Sequence, residues 1–208
     1  MTQTVGITKA ITNLDRACDV FNLSLATDPD FFWEWMREIP ELTDIERGTL
    51  DRLRNRYRYY QAGGAITEST FNLIIVSPLL ELLGLYDPPY FVRGEKYIKI
   101  EIEDGDRILE GLIDILVVRQ QLWLVVVETK RYGFSVMQAL PQTLAYMMGN
   151  SEREVGYGFI TTGEDYLFVK LDRQQHQYDI SDKFTLSTRR GNQLYSVVGI
   201  LKQFVGRG

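Results

Sequence analysis

Two carboxylates and one lysine stand out as residue types whose spacing would support chemistry. Asp114 lies within ILEGLIDILVV, and Glu128 and Lys130 close the stretch LWLVVVETK. The run LWLVVV is apolar without alternation, which predicts a strand covered on both faces. Side chains alternate along a strand, so Glu128 and Lys130 share a face while Thr129 points away. Asp114, on the preceding strand, is expected beside Glu128. Unpaired charge in such surroundings is costly. An ion pair of Lys130 with Asp114 or Glu128 is one explanation, but such pairs seldom add net stability over an apolar replacement. Two acids and a lysine in one place therefore favour function. The chemistry they suit is the seating of a hard divalent cation and the polarising of a water molecule.

Positioning these groups falls to the rest of the chain. Residues 1–62 read as a helical N-terminal extension, with Ile7, Ile11 and Leu14 at helical spacing. Asp28-Pro29-Asp30 predicts a helix start before FFWEWMREI, ended by Pro40. Thr43 and Glu46 form a capping-box pattern at the head of a longer helix. That helix carries Arg52, Arg54, Arg56 and Arg58, the densest basic cluster of the chain. It reads either as a solvated face or as a set of phosphate contacts for DNA. Gly63-Gly64 marks the boundary with a core domain over 63–208. A helix capped near Thr67 follows, with Glu68 in its first turn, a kink at Pro78 and Gly84 as C-cap. From Tyr90 the period becomes two: Ile98, Ile100 and Ile102 alternate with charged residues, and Asp104-Gly105-Asp106 turns the chain into the Asp114 strand. Arg119-Gln120-Gln121 turns it into the Glu128 strand. SVMQALPQTLAYMMGN predicts a helix, two strands flank Gly163-Glu164, and a last helix covers 191–205. The fold class expected is α/β, a central mixed β-sheet flanked by helices.

Composition narrows the function classes. The chain has 208 residues, 45% hydrophobic and 12% aromatic, enough for a sizeable core and against wholesale disorder. Lys plus Arg number 23 against 28 acids, a net charge of −5 that argues against a generic nucleic-acid coat protein. A local basic groove around an acidic metal site remains compatible with it. One cysteine, Cys18, and one histidine, His176, exclude a disulfide framework and a Cys- or His-rich zinc site. No apolar run reaches transmembrane length, and the N-terminus lacks the pattern of a signal peptide, so a soluble cytoplasmic protein is expected.

Glu68 on a helix, Asp114 on a strand, Glu128-Thr129-Lys130 on the next strand, and Gln142 through Tyr146 on a helix together resemble the PD-(D/E)xK nuclease superfamily. More narrowly, the pattern resembles the N-terminal nuclease domain of type I restriction enzyme R subunits, in which a Glu opens the first core helix and Gln-x-x-x-Tyr follows the Glu-x-Lys strand. The resemblance covers about residues 66–170. It departs from the pattern in having Ile113 rather than proline before Asp114. What it implies is a restriction-endonuclease-like core in which Asp114, Glu128 and the Thr129 carbonyl ligate Mg²⁺ or Mn²⁺. Glu68 would hold a metal-bound water or a second ion. Lys130 would orient or deprotonate the attacking water and steady charge on phosphorus. Gln142 and Tyr146, one turn apart, would contact the DNA backbone, packing being the ordinary alternative for Tyr146.

The function expected is a Mg²⁺-dependent DNA endonuclease domain of a restriction system. No GxxxxGK[ST] loop is present, so the chain is expected either to stand alone or to work on DNA with separate motor and specificity subunits. Two other readings stand beside it. One is a non-catalytic module that binds nucleic acid or a protein on the same fold, with the aromatics of DFFWEWM as interface or as core. The other is a branched-DNA resolvase acting as a homodimer.

Overall fold

The frame is set by a few long apolar strands, against which short helices are laid. The computed structural model describes residues 3–64, 66–102, 107–119, 122–128, 135–149 and 154–206, without the side chains of residues 3, 68, 118, 119 and 122–128. Strand β1 (Gln3–Gly6) leads into helices α1 (Ile7–Ala10) and α2 (Leu14–Phe21), followed by β2 (Ser24–Leu25). Asn13 caps α2, its Oδ1 accepting from Arg16 N–H at 2.8 Å. A single turn, α3 (Trp33–Met36), precedes the long helix α4 (Asp44–Ala62). The segment expected to be helical throughout thus also supplies two strands. Their four and two residues are too few to display a period, and only an open strand edge elsewhere in the chain can recruit them.

The helix expected after Asp28 is cut to one turn because Phe32 and Glu34 are drawn into the interior, with 0% and 1% of their surface exposed. The capping box of α4 is present as the sequence predicts: Thr43 Oγ1 accepts from Glu46 N–H at 3.3 Å and Glu46 accepts from Thr43 N–H at 2.8 Å. Leu50, Leu53 and Tyr57 form its buried stripe, and Gly63 closes it.

Helix α5 (Glu68–Phe71) runs through a π-helical turn, Asn72–Val76, into α6 (Ser77–Leu82). The break expected at Pro78 is therefore spread over the preceding turn. Pro78 has no N–H, so the Ile74 carbonyl four residues earlier loses its helical donor. Arg56 supplies the missing hydrogen bond from Nη1 at 3.1 Å.

Strands β3 (Phe91–Glu101), β4 (Arg107–Arg119) and β5 (Leu122–Glu128) come next, then α7 (Leu140–Met148). Strands β6 (Val155–Thr161), β7 (Asp165–Asp172), β8 (Gln177–Ile180) and β9 (Phe184–Thr185) lead to the last helix, α8 (Leu194–Val205). The two turns expected at 104–106 and at 119–121 lie wholly or largely outside the described residues.

Among the described residues nine strands make one mixed sheet, ordered β1-β4-β5-β6-β7-β8-β2, with β3 added to β4 and β9 to β7. β3 and β4 are antiparallel, as are β4 and β5, whereas β5 and β6 run parallel around α7. One face carries α4, α6 and α8 over Phe159, Phe168 and Val117. The other carries α1, α2 and α7 over Leu109, Ile160 and Val169. The chain is thus an α/β protein whose mixed sheet is flanked by helices, as the sequence predicts. No helix among the described residues is long and apolar enough to cross a membrane.

Candidate functional site

The site begins with a parting of strands. β3 occupies one edge of β4 from Ile108 to Val118. The other edge is shared: β1 pairs with residues 107–110 and β5 with residues 115–119. Residues 111–114 lie in the gap between these two partners. Asp114 is therefore the first residue beyond the described β4–β5 ladder, which ends at Ile115 opposite Val126. β5 continues past this point, bound to β6, as far as Glu128 opposite Thr161. The fork so formed brings the backbone positions of Asp114 and Glu128 to the same end of the sheet. On the far edge Glu95 breaks the β3–β4 register across from Asp114, with φ at 48°. A left-handed non-glycine residue is strained and marks a local twist in the hairpin.

Helix α7 lies over this fork, held close by two glycines. An added Cβ at Gly158 would come within 2.8 Å of Thr143 Cγ2, so only glycine lets α7 settle on β6. At Gly111 an added Cβ would lie 2.8 Å from Tyr146 Cε1 and 3.1 Å from Ile7 Cδ1. Gly111 therefore makes room for the Tyr146 ring directly above the gap in β4. The sequence signal for this residue is a glycine within an otherwise apolar strand, which marks close approach. Gly111→Ala is expected to cost about 1–3 kcal/mol by overpacking, read by chemical denaturation. Leu112→Ala, at an exposed neighbour, should stay within about 0.5 kcal/mol.

Gln142 and Tyr146 share a face of α7 and are joined to each other: Gln142 Nε2 donates to the Tyr146 hydroxyl at 2.5 Å. Tyr146 is only 2% exposed. Its ring is a packed wall of the site, so a contact with a DNA backbone would fall to the half-buried Gln142. Burial pushes the Tyr146 phenol above its ordinary pKa; the Gln142 hydrogen bond opposes this, and the charge of Asp114 adds to it. That influence places the half-buried Asp114 carboxylate within electrostatic reach of the phenol.

Glu68 opens α5. One turn further on, Phe71 packs on the loop after β6, its Cδ2 lying 3.2 Å from where a Cβ on Gly163 would stand. Gly163 follows Thr161, the partner of Glu128, so the Glu68 backbone stands at the same end of the sheet. Thr129 and Lys130 lie outside the described residues, as do the side chains of Glu68 and Glu128. Among the described residues no three His, Cys, Asp or Glu side chains gather into a metal-holding group. The described donor at the fork is the Asp114 carboxylate, whose oxygens suit a hard cation. The nitrogen and sulfur ligands are engaged elsewhere: His176 Nδ1 meets the Phe21 carbonyl at 2.9 Å, and Cys18 lies against the Tyr178 phenol.

No protein-family model matches the chain, and no curated protein matches it.

The arginine cluster divides into two pairs. Arg54 and Arg58 both donate to the Thr188 carbonyl, at 2.5 and 3.4 Å, and pin the segment before α8. Arg56 serves Ile74, and Arg52 donates to Thr49 Oγ1 at 3.1 Å within its own helix. Three of the four thus clip backbone carbonyls of other segments. Arg52, Arg56 and Arg58 remain exposed, whereas Arg54 is half-buried.

Proposed function

We propose that the chain is a Mg²⁺-dependent DNA endonuclease domain that hydrolyses phosphodiester bonds, akin to the nuclease domains of type I restriction R subunits. The observation that carries this reading is the strand fork. It sets Asp114 at the end of one ladder and Glu128 at the end of the next, with α7 above. The element types also agree with the resemblance: Glu68 opens a helix, Asp114 and Glu128 lie on adjacent antiparallel strands, and Gln142 and Tyr146 lie on the following helix. Asp114, Glu128 and the Thr129 carbonyl would hold the ion, with Glu68 holding a bound water or a second ion. Bound there, Mg²⁺ would polarise the phosphate and acidify a water molecule.

The chain's own groups do the rest. Lys130 orients the attacking water, takes up its proton or steadies the charge on the phosphoryl oxygens. Gln142, its amide held by the Tyr146 hydroxyl, contacts the DNA backbone beside the scissile bond. Motor and specificity functions would come from separate subunits.

The test is cleavage of supercoiled, linear, single-stranded and branched DNA with Mg²⁺, Mn²⁺ or EDTA. The native chain is expected to cut only with metal, and Lys130→Ala to lose about two orders of magnitude or more in rate. A preference for branched substrate would make it a resolvase. An inert native chain that binds DNA as well as Lys130→Ala does would leave a binding module.

A further inference from the structure

The end of α4 carries two adjacent exposed tyrosines, one of them the most exposed tyrosine among the described residues. Tyr59 is 79% exposed and Tyr60 42%, their rings edge to face with centroids 5.7 Å apart. They line a cleft of about 490 Å³ together with Ala62, Gly63, Ile66, Thr67 and Thr70. A cleft of that volume is of the size that accepts a small planar ligand. Its far wall is formed by Thr67 and Thr70, at the start of α5.

The approach to the cleft is positively charged. Arg52, Arg56 and Tyr59 recur at i, i+4 and i+7 and form one exposed stripe along α4. Each of the two guanidiniums spends one donor within the protein and keeps others for a ligand. Cations spaced along a helix and ending at exposed phenol rings match a phosphate backbone that delivers an unpaired base. In a chain of net charge −5, such a stripe is not a consequence of overall basicity.

We infer that this stripe and cleft bind single-stranded DNA: Arg52 and Arg56 hold phosphates, and Tyr59 and Tyr60 stack an unpaired base beside the start of α5. This rests on the nuclease reading for its DNA substrate and names the strand form that the site takes. An unpaired base is required because the ring faces are reachable only by a base that has left its own stack.

The test is fluorescence anisotropy with a labelled oligothymidylate and with a duplex of the same length, in EDTA so that nothing is cut. The native chain should bind the single strand more tightly than the duplex, and more tightly at low salt. Tyr59→Ala/Tyr60→Ala should weaken single-strand binding by about tenfold or more, while Tyr59→Phe/Tyr60→Phe retains it. Both residues are exposed, and unchanged thermal unfolding would confirm an intact fold. Equal affinity of the alanine variant and the native chain, a preference for duplex, or no binding by the native chain overturns the inference. Lys130→Ala is carried alongside with metal. Loss of the nuclease reading would show as absent cleavage with the tyrosine effect intact, and loss of the stacking site as cleavage with no tyrosine effect.

Discussion

Asp114→Asn is expected to leave the protein folded and to lower metal-dependent cleavage about a thousandfold. The substitution keeps the shape and one acceptor oxygen, removes the charge and replaces the second oxygen with an NH2 donor. A catalytic cation is worth several kcal/mol, and about 1.4 kcal/mol corresponds to tenfold in rate. The residue is half-buried at the end of the described β4–β5 ladder, and the amide has nearly the volume of the carboxylate. A second reading of the same variant is independent of activity. The negative charge of Asp114 helps hold the Tyr146 phenol above its ordinary pKa, so removing it should bring that pKa down, though burial keeps it raised. A titration of the Tyr146 ring resonances by NMR, compared between native and variant, separates this phenol from the other eleven tyrosines. Unchanged cleavage would remove Asp114 from the chemistry; an unchanged phenol titration would remove it from the neighbourhood of Tyr146.

The second large effect lies away from the fork. Glu34, 1% exposed, accepts from Lys170 Nζ at 2.7 Å and from the Tyr157 hydroxyl at 2.9 Å. Lys170 also donates to the Phe31 carbonyl at 2.6 Å. The cluster fastens the segment around α3 to β6 and β7. Glu34→Ala would leave a largely buried ammonium without its counter-charge, and the expected loss is about 3–5 kcal/mol in chemical denaturation. Replacing both partners, as in Glu34→Leu/Lys170→Met, should cost much less than the single change, because no charge is then left buried. If the single and double variants lose stability equally, the ion pair is not what holds this segment. Cleavage need not change in either variant that folds, since the cluster lies away from Asp114 and α7.

What could be read in advance follows the range of the interaction. The Thr43–Glu46 capping box and the closure of α4 at Gly63 depend on residues within one turn of each other. The alternation of Ile98 and Ile100 against Lys99 is likewise local, and it places both isoleucines in the core. The DFFWEWM segment was ambiguous between interface and core; Phe32 is fully buried, with Phe31 and Trp35 packed on the same cluster. Its helix is shorter than local propensity predicts, and propensity does not register that Glu34 meets Lys170, 136 positions away. The purely helical reading of residues 1–62 failed in the same way. Strand β1 exists because β4 offers it the edge left open ahead of β5, and that edge is a property of the assembled sheet.

The sequence by itself determined the longer elements from α4 to β7, the acidic and basic residue types near the strand ends, and the α/β class, because each follows from period, turn chemistry and composition along a short stretch. Tertiary structure alone decided that β4 divides its edge between two partners with Asp114 at the division. It decided too that Gly111 admits Tyr146 to that gap, and that Arg54 and Arg58 clip Thr188. These are distances between residues far apart in the chain, fixed by how the helices close on the sheet, and no local pattern encodes them.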